Sequence, residues 1–139
     1  MIEVSPVLTF AGNCEAAFEF YRKVFGGDFQ FIYRYKDVSS EGVPEGYGSK
    51  IMHISLPLMK NVFLMGSDSL DGVKAGGTVS IGLRLNNEDE TKRLFSALSE
   101  NGAVADPLTK VFYADLYGSV TDRFGVHWTF NCNIGREPE

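Results

Sequence analysis

Apolar residues recur along this chain with two different periods, and the places where the period changes mark its elements. Cys14, Ala17, Phe18, Tyr21, Val24 and Phe25 lie three and four apart, one stripe of a helix. Asn13 is the predicted cap of that helix, and Gly26 supplies a left-handed exit. Glu15 and Glu19 fall toward the positive end of the helix dipole, Arg22 and Lys23 toward the negative end. Elsewhere period two takes over. Val4 to Phe10 reads as a strand before the helix. Asp28 to Tyr35 reads as one after it, because Phe29, Phe31, Tyr33 and Tyr35 alternate with Gln30, Ile32 and Arg34. Lys36 to Gly48 carries Gly, Pro and Ser and is expected as a long exposed loop. Ile51 to Leu58 and Asn61 to Met65 then form two strands joined by a short turn around Met59 and Lys60.

The order then repeats. Thr78 to Leu85 reads as a strand, and Asn87 with Glu90 makes a cap resembling a capping box. The helix behind it places Thr91, Leu94, Phe95 and Leu98 on one face and stops at Asn101-Gly102. Ala105 to Val111, Asp115 to Thr121 and Val126 to Asn131 complete the set, with Arg123-Phe124-Gly125 turning the last hairpin. The caps Asn13 and Asn87 stand about half the chain apart, and each helix has one strand before it and three after it, the mark of a duplication. The expected fold is α+β: two βαβββ modules, 4–67 and 78–134, joined by a linker at 68–77 within one domain. A four-stranded sheet with a helix on one face leaves its other face bare. Two such modules are expected to bury or share those faces as a curved mixed sheet around a cleft.

Composition narrows the function classes. At 139 residues, 44% hydrophobic and 22% charged, the chain has enough length and apolar content for a sizeable core. A net charge of -5 and the absence of a Lys/Arg cluster argue against nucleic acid and against an acidic membrane surface. No stretch has the length or flanks of a membrane span or a signal peptide, so a cytoplasmic location is expected. Cys14 and Cys132 fall on a predicted helix and a predicted strand, where buried thiols are the default.

The βαβββ repeat resembles the vicinal oxygen chelate superfamily, which includes glyoxalase I, bleomycin- and fosfomycin-resistance proteins and extradiol dioxygenases. LTFAGNCEAAFEFYRKVFGG, KIMHISL, the strand end Met65-Gly66-Ser67-Asp68 and VTDRFGVHWTFNC are similar to its PhnB-like branch. The resemblance runs from Val4 to Cys132 and implies a homodimer. Some members of this branch carry a demethylubiquinone methyltransferase-like label. The Gly-rich strand-to-helix turn with which methyltransferases hold their cofactor is absent here. In metal-dependent members, the first and last strands of each module supply one His, Glu or Gln ligand apiece. Here those strands offer Ser5 and Thr9, Asn61, Ser80, and Thr129 at the place of a Glu. None is a good ligand for zinc, iron or manganese.

Two histidines remain. His53 lies mid-strand in KIMHISL, where the PhnB-like pattern also has a His, and is a candidate acid, base or single metal ligand. His127 lies two residues before Thr129 and so shares its sheet face, which the resemblance makes the cleft face. Cys14 follows the cap directly but falls on the apolar stripe, which favours a packed thiol. Tyr33, Tyr35, Phe112, Tyr113 and Tyr117 are placed to line a concave sheet, while Trp128 alternates with His127 and Thr129 and belongs to the core. Glu88-Asp89-Glu90 is explained by a helix start.

The leading expectation is a protein that binds a small, partly aromatic or hydrophobic molecule in the cleft between the modules, without a cofactor or a conventional metal site. Tyr33, Tyr35, Phe112 and Tyr113 would supply contact area, and His53, His127 and Thr129 polar recognition. The alternative is a divalent-metal-dependent lyase, isomerase or oxygenase in which His53 and His127 hold one metal ion. A ligand-free assembly module is the third reading.

Overall fold

A computed structural model describes residues 4–38, 41–59, 62–74, 76 and 78–135. They form, in order, β1 (Val7–Phe10), α1 (Cys14–Phe25), β2 (Phe31–Arg34), α2 (Tyr35–Val38), β3 (Ile51–Met59), β4 (Val62–Asp68), β5 (Ile81–Leu85), α3 (Glu88–Ser99), β6 (Ala103–Val111), β7 (Ala114–Thr121) and β8 (His127–Cys132). Lys60 and Asn61, named above, lie outside the described residues, as do 39–40 of the expected loop and 75 and 77 of the expected linker. The chain divides into two compact units, Met1–Lys74 and Ala75–Glu139. Among the described residues no helix is long and apolar enough to cross a membrane.

The two units share one topology. The first sheet has the order β1-β4-β3-β2 and the second β5-β8-β7-β6, with the first pair of each parallel and the remaining pairs antiparallel. Phe10 lies opposite Asp68 in the first parallel pair and Leu85 opposite Cys132 in the second, so the repeat can be matched strand by strand. The α+β fold of two βαβββ modules is therefore the observed one.

In the first unit α1 buries Cys14, Ala17, Phe18, Tyr21 and Val24 against a floor that includes Phe10, Ile54, Leu56 and Leu64. Of these, Phe10, Phe18, Ile54, Leu56 and Leu64 each contribute about 1.5–3 kcal/mol by leaving water. Gly66 sits where helix and sheet come closest: a Cβ there would stand 2.4 Å from the Phe18 ring. In the second unit Thr91, Leu94 and Leu98 of α3 are buried, with Val120, Trp128, Phe130 and Cys132 among the core residues. Phe95 packs edge-on against Phe130 with ring centroids 5.3 Å apart.

Several element ends differ from expectation. β1 begins at Val7, since Pro6 has no N–H for a ladder and contributes only its carbonyl, to Met65. β2 stops at Arg34 because the register slips after Tyr33 and the Asp37 carboxylate captures the Arg34 N–H at 2.9 Å, starting the short α2 where a loop was expected. Tyr35 thus opens a helix turn and is not the last strand residue. β4 continues to Asp68, three residues beyond its expected end, because β1 pairs with it that far.

The two helix starts also differ. Asn87 caps α3 as expected, its Oδ1 accepting from Glu90 N–H at 2.8 Å. Asn13 makes no side-chain cap bond. Asn87→Ala is accordingly expected to cost about 1 kcal/mol, and Asn13→Ala only a few tenths, when urea denaturation is followed by circular dichroism. Equal losses would contradict this assignment.

Candidate functional site

What caps α1 instead is the Asp68 carboxylate, delivered from the end of β4 and only 1% exposed. Its Oδ1 accepts from Gly12 N–H and Cys14 N–H, both at 2.9 Å, and its Oδ2 from Ile51 N–H at 2.9 Å. One acid therefore joins the β1–α1 turn, the first residue of α1 and the start of β3, with its negative charge at the positive end of the helix. Tyr35 donates its hydroxyl to the Asp68 carbonyl at 2.6 Å, Tyr47 donates to the Ser69 carbonyl at 2.7 Å, and Lys50 Nζ donates to the Gly12 carbonyl at 2.8 Å. Burial, then the Asp68 charge, pushes the pKa of both tyrosines up. Tyr35 is thus a tie within this knot. Cys14, fully buried beside it, has its thiol pKa pushed well up by burial first and by Asp68 second, so it is an inert thiol.

The helix-free face of the first sheet is different in character. Strand alternation and the pairing of Phe31 with Ser55 and Tyr33 with His53 put these four side chains on it. The Phe31 ring lies between two neighbours, 5.1 Å from Tyr33 and 5.1 Å from His53, tilted by 34° and 39°. Tyr33 is 48% exposed and His53 half-buried. Below them Ser55, fully buried, donates its hydroxyl to Gln30 Oε1 at 3.0 Å. Arg34 points to a separate task, pairing through both terminal nitrogens with Glu15 and holding that carboxylate below its usual range. The result is an aromatic wall with one imidazole, suited to a planar ring and a single polar group. Phe31 had not been singled out as a site residue, although the alternation that placed Tyr33 places it too.

The remaining candidates belong to the second unit. Phe112 and Tyr113 form the β6–β7 hairpin tip, edge to face at 4.8 Å, and Phe112 is 99% exposed. Tyr113 continues to Tyr117 at 5.7 Å. Trp128 is fully buried, as expected, and donates its indole N–H to Asp122 Oδ2 at 2.9 Å. His127 and Thr129 lie on the opposite, helix-free face of β8, with Thr129 paired in register to Gly82. Both nitrogens of His127 are engaged: Nδ1 lies 2.8 Å from Thr121 Oγ1 and Nε2 lies 3.1 Å from the Gly76 carbonyl oxygen.

Residues 2–130 match the protein family described as 3-demethylubiquinone-9 3-methyltransferase. The chain belongs to that family. It is 30% identical to protein YjdN of Escherichia coli K12 over 92% of this chain and 93% of that one. The crystal structure of protein PA1353 from Pseudomonas aeruginosa superposes with a TM-score of 0.86 at 37% identity, covering 96% of this chain and 99% of the other. A Bacillus cereus structure described as a putative 3-demethylubiquinone-9 3-methyltransferase, PhnB protein, shares the fold with a TM-score of 0.76 at 24% identity over 94% and 99% of the two chains. Glyoxalase-related structures from Fulvimarina pelagi and Bacillus cereus share the fold as well, with TM-scores of 0.61 and 0.63 at 19% identity.

The metal that the resemblance to the vicinal oxygen chelate superfamily implies has a poor donor set in this chain. Thr129 stands where the resemblance places a Glu ligand, and its β5 neighbour is Gly82. The matching pair in the first unit is Val7 and Met65. One hydroxyl and one thioether do not fit a zinc, iron or manganese centre. Among the described residues no three His, Cys, Asp or Glu side chains gather into a group that could hold a metal ion.

Proposed function

We propose that this PhnB-like protein binds a small, partly aromatic or hydrophobic molecule on the helix-free face of its first sheet, with no metal ion taking part. The observation that supports this reading is the Phe31 ring tilted against both Tyr33 and His53, with Tyr33 half exposed beside it. The aromatic faces supply stacking area and the imidazole one directional hydrogen bond, which favours a planar ring carrying a hydroxyl or carbonyl.

Equilibrium binding of a set of phenols, indoles and naphthols tests it. Tyr33→Ala and His53→Ala are each expected to weaken the best binder about three- to tenfold, the worth of one stacked ring or one hydrogen bond. No binder in the set, or wild-type affinity in both variants, would contradict the reading. One divalent metal ion per chain, present after purification without chelator and lost on His53→Ala, would replace it with metal-dependent chemistry.

A further inference from the structure

His127 has a different role, and its two contacts define it. The Gly76 carbonyl oxygen carries no hydrogen, so the 3.1 Å contact requires the proton on Nε2. In the neutral ring Nδ1 is then bare and accepts from the Thr121 hydroxyl at 2.8 Å. Thr121 is itself fixed opposite His127 in the β7–β8 ladder, so its hydroxyl is in place to donate to the nitrogen that the Gly76 contact leaves bare. Gly76 belongs to the stretch that leads from the first unit into β5, and it has no side chain of its own with which to hold its place.

We infer that His127 is a latch that holds the backbone at Gly76, ahead of β5, with the Gly76 carbonyl setting its tautomer and Thr121 donating to its other nitrogen. Neither nitrogen of the neutral ring is left with a free lone pair. The imidazole therefore positions backbone and neither recognises a ligand nor coordinates a metal. This stands independently of the ligand site proposed for the first unit.

Trypsin provides a local readout, because the exposed Lys74 lies two residues before Gly76. A protease must draw Gly76 into an extended strand to cut after Lys74, which breaks the latch. In the intact chain, His127→Phe is expected to speed formation of the fragment ending at Lys74 about fivefold, the factor that one exposed hydrogen bond supplies. Thr129→Val, on the same sheet face, is expected to leave that rate unchanged. Ring-nitrogen NMR of the neutral imidazole in the wild-type protein gives the second reading, with the proton on Nε2 and Nδ1 bare. An unchanged cleavage rate in a folded His127→Phe protein would overturn the latch. So would a ring with the proton on Nδ1, and that spectrum decides even if the variant does not fold.

Discussion

Asp68→Asn is expected to destabilise the protein by about 2–4 kcal/mol, because it leaves buried backbone donors without an acceptor. The carboxylate takes two N–H groups on Oδ1 and one on Oδ2. An amide of the same shape has one oxygen. Placed toward Gly12 and Cys14, it turns its NH2 on the Ile51 N–H; flipped, it turns the NH2 on the other two. Either way a donor faces a donor in a site that is 1% exposed. Burying the carboxylate has its own cost, and the three donors together with the α1 dipole offset it, so removing the charge alone does not rescue the variant. Urea denaturation checks this, and a midpoint within error of wild type would show that Asp68 is not the cap of α1.

Gly102→Ala is expected to cost about 3 kcal/mol, at the upper end of what overpacking does. A Cβ at this position would lie 2.3 Å from the Thr121 carbonyl oxygen and 3.0 Å from the Asp122 backbone. Those atoms belong to the β6–β7 ladder and to the turn that Asp122 holds by accepting from Phe124 and Val126 N–H. No side-chain rotation relieves the contact, so the strands must part. Gly76→Ala, which meets nothing within 4 Å, is the matched control and should melt like wild type. Similar melting of Gly102→Ala and Gly76→Ala would contradict the close approach.

Both residues show where the sequence was readable and where it was not. The stripes of α1 and α3 and the order of eight strands rest on local periodicity, and each is present. The cap of α1 depends on a partner 54 residues away from Cys14, and a rule that looks only at neighbouring residues selects Asn13 instead. Period two correctly placed Tyr33 on a strand face but ran on into Tyr35, because nothing in the alternation signals that Asp37 takes the Arg34 N–H and ends the strand. Phe31 was hidden for a related reason. Alternation says which residues share a face, while the contact of its ring with both Tyr33 and His53 depends on the β2–β3 register. His127 was legible as a residue on the Thr129 face, but its link to Gly76 spans 51 residues and leaves no local trace.

The most direct test of the ligand site is NMR mapping of the bound state with a saturating planar aromatic such as 2-naphthol. The account predicts that the ring signals of Tyr33 and His53 and the amides of 31–33 and 53–55 move together, while the Trp128 indole signal, sealed in the second unit's core, stays in place. Saturable binding that moves Phe112, Tyr113 and Tyr117 and leaves Tyr33 and His53 unmoved would contradict it.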